Sequence, residues 1–432
     1  MTSPFTRFRG FSRNARLLFA TVTCVGLSMA LNALFLNFYL QALGLSQQII
    51  GLANALPTAT LMLAGLPVGK WIDRYGPRRG LLVGTALAAA ASAGIAVSST
   101  PSAVLACTAV IGLASAFGFI SIAPYQMANS TERERVALFS AQAALMTGTG
   151  FIGNLVGGRL PGLFGSWLGA ASDSLVALRA TMLAAAALWA LAMLPMFTAR
   201  DPAPVAVATP PDHRANPAAG PRRRLVSRPR VVLKLLIPAF LISLGAGQTL
   251  PFLNIYISGR FGIGYASLGT LFAVGALGTT VATLAQPALA ERYGRIRSVL
   301  IVQIVSIPFL VMLGFSPVFS LVAVALVVRV ALMNMGNPVY QAFAQELMPP
   351  DEQATYSSLS TVVWSLAWSL GAAFSGWWRG RVDFAAGFNT VFALMTMLYI
   401  TAMGLTYLFF VRGRGSLAGP RNQTNTAGRQ SV

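Results

Sequence analysis

Gly69-Lys70-Trp71-Ile72-Asp73-Arg74-Tyr75-Gly76-Pro77-Arg78-Arg79 lies between two long apolar runs, and a degraded copy, Glu291-Arg292-Tyr293-Gly294-Arg295-Ile296-Arg297, lies between two others far downstream. A short basic connector between apolar runs is what joins two membrane-spanning helices on the side where positive charge is retained. Its return at a distance implies that the chain is built twice from one plan.

Composition agrees with that reading. Of 432 residues, 55% are hydrophobic and 10% charged, where soluble chains carry about 25% charged residues. The mean hydropathy is +0.66, the range of a polytopic membrane protein. The net charge of +20 suggests nucleic acid until the charges are placed. They lie almost entirely between apolar runs, so they set topology, and no nucleic-acid partner is expected. Cys24 and Cys107 both fall within apolar runs, which gives neither a disulfide framework nor a metal site. The first apolar run, from about Leu17 to Leu40, is too long for the core of a signal peptide and reads as a membrane helix.

Apolar runs broken by charge and by Gly/Pro clusters place twelve spans, at 17–40, 49–69, 80–98, 102–127, 137–160, 175–198, 231–258, 265–289, 298–315, 318–343, 356–378 and 386–411. The chain thus divides into an N-terminal segment 1–16, a six-helix bundle 17–198, a linker 199–230, a second bundle 231–411 and a tail 412–432. The linker is rich in Pro and carries the single His213 and Arg222-Arg223-Arg224; it reads as a flexible tether drawn to anionic lipid headgroups. An even span number puts both termini on one side. With Lys234 at the linker's edge included, that side holds 25 of the 31 Lys and Arg, so both termini are expected in the cytoplasm.

The repeat extends beyond the basic connector. Phe35-Leu36-Asn37-Phe38-Tyr39 returns as Phe252-Leu253-Asn254-Ile255-Tyr256, 217 residues on. Gly44, Gly51 and Gly76 return as Gly262, Gly269 and Gly294, and Gly153-x-x-x-Gly157-Gly158 as Gly371-x-x-x-Ser375-Gly376, each 218 residues on. The repeat thus divides the chain into two parallel units of six spans each.

Taken together, the first connector's G-x-x-x-D-R-x-G-x-R-R pattern, its echo and the duplicated halves resemble the major facilitator superfamily over about residues 17–411. The resemblance implies an all-α fold of twelve transmembrane helices in two six-helix halves. It also implies alternating access and a conformational role for Gly69, Asp73, Arg74, Gly76, Arg78 and Arg79, with Glu291 and Arg292 as weaker counterparts. Asp73 would then sit against the start of the eleventh span near Tyr356 when the cytoplasmic side closes. Arg74, Arg78 and Arg79 would pair with Glu132, Glu134 or lipid headgroups, and Gly69 would admit a close helix contact. Pro287 stands where the first copy has Gly69, which weakens the second contact. The fifth span's Gly153-Asn154-x-x-Gly157-Gly158 is similar to an antiporter motif, with Asn154 in place of its Pro. Close helix packing explains these glycines equally well.

Arg329 stands about 12 residues into the tenth span, roughly 18 Å deep at 1.5 Å per residue. A charge at that depth costs at least about 2.5–3.5 kcal/mol, so it must face the bundle interior or a wet cavity. Helical spacing puts Met333, Asn337, Tyr340 and Gln341 on its face. Spans 1, 4, 7 and 10 line the cavity in the family. The resemblance therefore adds Asn32 and Asn37, Tyr125 and Gln126, and Gln248 and Asn254 as substrate-binding candidates. A guanidinium there is either the anchor for a carboxylate or phosphate or a structural group held by helix carbonyls. All eleven Asp and Glu fall in loops or near span ends, and no span carries His, so a carboxylate-based proton relay is not expected.

These features point to a secondary transporter of a small organic solute in a bacterial cytoplasmic membrane, monomeric and without cofactor or metal. Efflux of amphiphilic or anionic compounds is favoured over uptake of a carboxylated metabolite. A transporter-like sensor or scaffold is the rival reading. No Walker loop, paired zinc-binding His or Ser-His-Asp set indicates an enzyme.

Overall fold

The computed structural model describes residues 11–200 and 227–412. Twelve long helices run through it: α1 (Arg13–Ala42), α2 (Gln47–Tyr75), α3 (Pro77–Val97), α4 (Pro101–Ala128), α5 (Glu132–Gly157) and α6 (Leu175–Thr198), then α7 (Pro229–Phe261), α8 (Tyr265–Tyr293), α9 (Arg295–Phe315), α10 (Phe319–Glu346), α11 (Gln353–Arg379) and α12 (Phe384–Arg412). A short helix, Leu160–Leu168, joins α5 to α6. The expectations for the linker's central part, with His213 and Arg222 to Arg224, lie outside the described residues.

Helix starts follow local chemistry. Ser46 and Ser174 accept from the backbone N–H three residues on, Asp383 does the same for Ala386, and Thr131 with Glu134 forms a capping box. Among the described residues, ten helices are long and apolar enough to cross a membrane. The two others, α5 and α11, open on polar first turns, Glu132 to Arg135 and Gln353 to Ser358. They span through packing: α5 lies on α1 and α8, and α11 on α2 and α7.

Two expected edges move. The signature segment is not a loop but the last two turns of α2, and the chain reverses at Gly76 alone (φ +90°) before Pro77 opens α3. Gly294 (φ +82°) does the same between α8 and α9. Only glycine accepts that backbone without strain, so the two signature copies survive as matched hinges. The tenth span is not one continuous helix: it breaks at Gly336 into Phe319–Met335 and Asn337–Glu346, where Pro338 cannot continue the hydrogen-bond ladder. The seventh is likewise interrupted, by the turn Leu250–Phe252 around Pro251.

Within the first half α1 packs on α5 and α6, and α3 on α4 and α6; within the second, α7 packs on α11 and α12, and α8 on α10. Two pairs hold the halves together, α2 with α11 and α5 with α8. The contacts obey the sequence repeat. A Cβ on Gly51 would lie 2.6 Å from the Gly376 Cα, and one on Gly158 would lie 3.0 Å from the Gly269 Cα. Gly269 is the repeat partner of Gly51 and Gly376 that of Gly158, so one glycine-to-glycine contact occurs twice about a pseudo-two-fold axis. Small residues let backbones approach where no hydrophobic driving force is available.

Both glycine contacts lie at the end of the bundle opposite the signature turns. At the signature end, by contrast, Leu63 and Leu66 on α2 and Leu284 on α8 are 73, 82 and 79% exposed. A Cβ at Gly69 would meet nothing within 4 Å. The close contacts that join the halves therefore gather at the end opposite the signature turns.

Candidate functional site: the cavity between the halves

Two adjoining chambers occupy the centre of the bundle, sharing Leu250, Val330 and Trp368 in their walls. One, of about 290 Å³, lies within the second half. Its polar lining is Arg329, Gln303, Asn334, Asn337 and Tyr340, and its aromatic lining includes Trp364, Trp368 and Tyr399. The other, of about 530 Å³, lies between the halves and carries Asn32, Asn37, Asn54, Asn154 and Asn254.

Arg329 is 2% exposed yet lines the first chamber. α10 puts it there, and α12 supplies its neighbours. Its guanidinium stands 5.6 Å from the centre of the Tyr399 ring, and Nη2 reaches the Met395 sulfur at 3.8 Å. Its Nε is buried without a hydrogen-bond acceptor. No carboxylate lines either chamber, so among the described residues the cation has no ionic partner there. A cation–π contact is worth about 0.5–2 kcal/mol, well short of what a buried ion loses in hydration.

The asparagines do different work. Asn37 Nδ2 donates to the Pro251 carbonyl (2.5 Å) and to Asn254 Oδ1 (3.1 Å), while Asn254 Nδ2 donates to the Leu34 carbonyl (2.8 Å). Asn37 and Asn254 are repeat partners, and so are Leu34 and Pro251. Each asparagine thus caps the carbonyl three residues before its counterpart, a reciprocal clasp between α1 and α7. Asn54 Nδ2 donates to Asn37 Oδ1 (2.8 Å) and braces it from α2. The clasp floors the second chamber on the side of the glycine contacts. Nearby, Ser369 Oγ donates to the Ala55 carbonyl (3.0 Å). Arg379 reaches Gln47 Oε1 (3.0 Å) while its guanidinium stacks over Phe252 (4.1 Å) and Phe388 (4.8 Å).

Of the sequence candidates, Arg329, Asn337 and Tyr340 line the first chamber and Asn32, Asn37 and Asn254 the second. Asn32 Nδ2 turns back onto the Ser28 carbonyl of its own helix (3.0 Å), and the Tyr340 hydroxyl donates to the Leu235 carbonyl (3.1 Å). Tyr125 and Gln126 are fully buried in the first half and line neither chamber; Tyr125 packs with Leu18, Leu81 and Met196. Gln248 is buried beside α11, outside both linings. Gln341 is exposed beyond the break at Gly336. Sequence reasoning missed Asn54, Asn154, Gln303, Asn334, Trp364, Trp368 and Tyr399 as cavity residues. Asn54, Asn154, Gln303 and Asn334 carried a usable signal, as amides inside apolar runs.

The signature residues make no hydrogen bond or ion pair with α11 among the described residues. Asp73 and Arg79 are exposed, and Asp73 makes no hydrogen bond or ion pair among the described residues. Arg74 lies over the Tyr75 ring at 5.3 Å, and Arg78 donates to the Met196 and Phe197 carbonyls (3.0 and 3.1 Å). Glu134 is taken up by its own helix cap. In the second copy, Arg292 lies over Tyr293, Glu291 is exposed, and Arg295 pairs with Glu346. The expected contact of Asp73 with the start of α11 is therefore absent from this arrangement, because α2 meets α11 at the opposite end. The glycines of the fifth span are occupied by packing: Gly153 faces Ala30, Gly157 faces Leu31 and Gly158 faces Gly269.

Solved structures share this architecture. A bacterial homolog of the human lysosomal transporter Spinster, in an inward-facing and unoccupied conformation, superposes with a TM-score of 0.73 at 14% identity, over 94% of this chain and 97% of that one. The nucleoside transporter NupG gives 0.72 at 16%, over 92% and 99%, and a bacterial homologue of the iron transporter ferroportin in an inward-facing state gives 0.68 at 16%, over 94% and 99%. In sequence, an uncharacterized membrane protein of Saccharomyces cerevisiae is 26% identical over 335 residues, 70% of this chain and 73% of the yeast protein. The family model of the major facilitator superfamily matches residues 18–372. With that match spanning most of both halves, the chain belongs to the major facilitator superfamily and is a multi-pass membrane transporter.

Proposed function

We propose that this carrier moves a small organic solute by alternating access, and that the arrangement described above is its inward-facing state. The observation that carries the reading is the asymmetry of the bundle: a chamber whose Arg329 has no counter-charge, with the glycine contacts and the asparagine clasp joining the halves on one side of it and no such contact at the signature glycine Gly69 on the other. The positive-inside bias supports that side as cytoplasmic, with both termini there, in a bacterial inner membrane with anionic lipid. Asp73 and its neighbours would engage α11 only when that side closes.

The solute is amphiphilic or anionic, since Arg329 stands among aromatic walls and offers a forked donor to carboxylate or phosphate. Export is the direction we favour, because apolar and aromatic lining suits compounds that reach the cavity from the lipid or cytoplasm. Uptake of a carboxylated metabolite would use the same Arg329. The carrier would act as a monomer. Reconstitution in liposomes tests the reading: solute-dependent flux is expected, abolished when the closed side is pinned by cross-linking Gln48→Cys to Arg381→Cys. Unchanged flux in the cross-linked protein would overturn alternating access.

A further inference from the structure

Arg329 is the sole charged side chain lining either chamber among the described residues. A solute carrying an ammonium group would find no carboxylate there, and a dianion would find no second cation. Trp364, Trp368 and Tyr399 offer flat apolar surface beside the guanidinium, and Gln303, Asn334 and Asn337 offer amides. The site therefore matches a monoanion with a flat apolar body: one charge for one charge, and stacking for the rest.

The missing counter-ion has a second consequence. To change sides, the cavity must close and shed water around whatever it holds. Arg329 stays charged, and its fixed neighbours are the Met395 sulfur and the ring and hydroxyl of Tyr399, none of them a counter-charge. At 2% exposure it presents only an edge to the chamber, and closing an empty cavity would remove the water from that edge with no anion to replace it, which is costly. Closing it around a monoanion completes an ion pair and removes most of that cost. We infer that this protein is an exchanger of organic monoanions, in which the return step is fast only with an anion bound on Arg329. The inference rests on the carrier reading above and adds the solute's charge and the mode of transport. One-for-one exchange of monoanions moves no net charge, so its rate is independent of membrane potential.

The test uses the full chain, with benzoate, benzamide and benzylamine, and indole-3-acetate, indole-3-acetamide and tryptamine, as matched anion, neutral and cation probes. At least one of the two anions is expected to raise the melting temperature in detergent, with no shift from its amide or amine. In liposomes loaded with that radiolabelled anion, efflux should be at least tenfold faster into buffer containing the same anion than into anion-free buffer, and unaffected by a potassium–valinomycin potential. Arg329→Gln should lose the anion's stabilisation, and Arg329→Lys should retain it. If Arg329→Gln does not fold, the wild-type comparison of efflux with and without external anion still decides. Stabilisation by the amine or amide equal to that by the anion, or by none of the six probes, would overturn the monoanion assignment. Equal efflux with and without external anion would overturn exchange while leaving the carrier reading intact. Binding without flux under any condition would instead count against the carrier reading.

Discussion

The reciprocal clasp between Asn37 and Asn254 gives the sharpest handle on how the closed side is held. Asn37→Ala removes two bonds that cross the halves, to the Pro251 carbonyl and to Asn254 Oδ1, and leaves the Asn54 amide with the Ile50 carbonyl alone. Each hydrogen bond has a net worth of about 0.5–1.5 kcal/mol, so the closed side loses about 2 kcal/mol relative to the open one. At 1.4 kcal/mol per factor of ten, that is roughly a thirtyfold shift toward opening. Asn254→Ala removes the bond to the Leu34 carbonyl and the same Asn–Asn bond, so it should shift the equilibrium about equally. Because the two share one bond, the double variant should fall short of additivity by about 1 kcal/mol. Spin labels at positions 48 and 381, in a background with Cys24 and Cys107 replaced by Ser, report the separation across the closed side. A second, longer distance should appear in each variant and dominate in the double variant. Asn32→Ala is the control, since its amide bonds within its own helix. An unchanged distance distribution in both single variants would refute the clasp as a determinant of closure.

Three further outcomes follow from the same geometry. Gly376→Val should open the closed side, since its Cβ would lie 2.5 Å from the Gly51 Cα; overpacking costs about 1–3 kcal/mol, read with the same labels, whereas Gly69→Val should leave that distance unchanged. Asp73→Asn should leave the melting temperature of the inward-facing protein unchanged, because Asp73 is exposed and unpaired among the described residues, yet slow transport; a drop in melting temperature would assign Asp73 a structural role. Tyr39→Phe removes one bond, to the Ala96 carbonyl (2.6 Å), and should cost about 1 kcal/mol in thermal unfolding. Tyr256→Phe removes bonds to the Leu313 and Gly314 carbonyls and a partner of Arg260, and should cost more.

The fold was legible because a bilayer imposes coarse requirements that sequence displays openly: apolar runs of fixed length, charge sorted by side, and a repeat traceable through Gly, Asn and Tyr. The repeat marked Gly51 with Gly269 and Gly158 with Gly376 as equivalent positions, but a periodicity alone gives no partner. That Gly51 meets Gly376, not Gly269, depends on how two halves dock, and docking leaves no mark in either half's hydropathy. The site was legible only where burial is expensive. Arg329 stood out because a charge within a span demands a reason, and it lines the first chamber. Tyr125 and Gln126 came in through the family resemblance, yet they turn into the first half's own packing, a choice that hydropathy along one helix does not display. Trp364, Trp368 and Tyr399 were invisible for the opposite reason: an aromatic residue is equally at home in core, lipid or cavity, and only three-dimensional neighbours decide which.

Asn37 and Asn254 were singled out as solute contacts because polar groups within spans must do something, and what they do first is bind each other. A residue can line a cavity and still have its hydrogen bonds committed to closing it. On the proposed reading the solute meets Arg329 as the group with unspent capacity, while the asparagines belong to the contact between the halves. Selectivity and gating are in that case separable in this protein. Variants at Arg329 should change what is carried and leave the closed-side distance in place, and variants at the clasp should change which side is open without altering the preference among the six probes. A clasp variant that switched preference from anion to amine would break that division, and with it the assignment of the two chambers to different tasks.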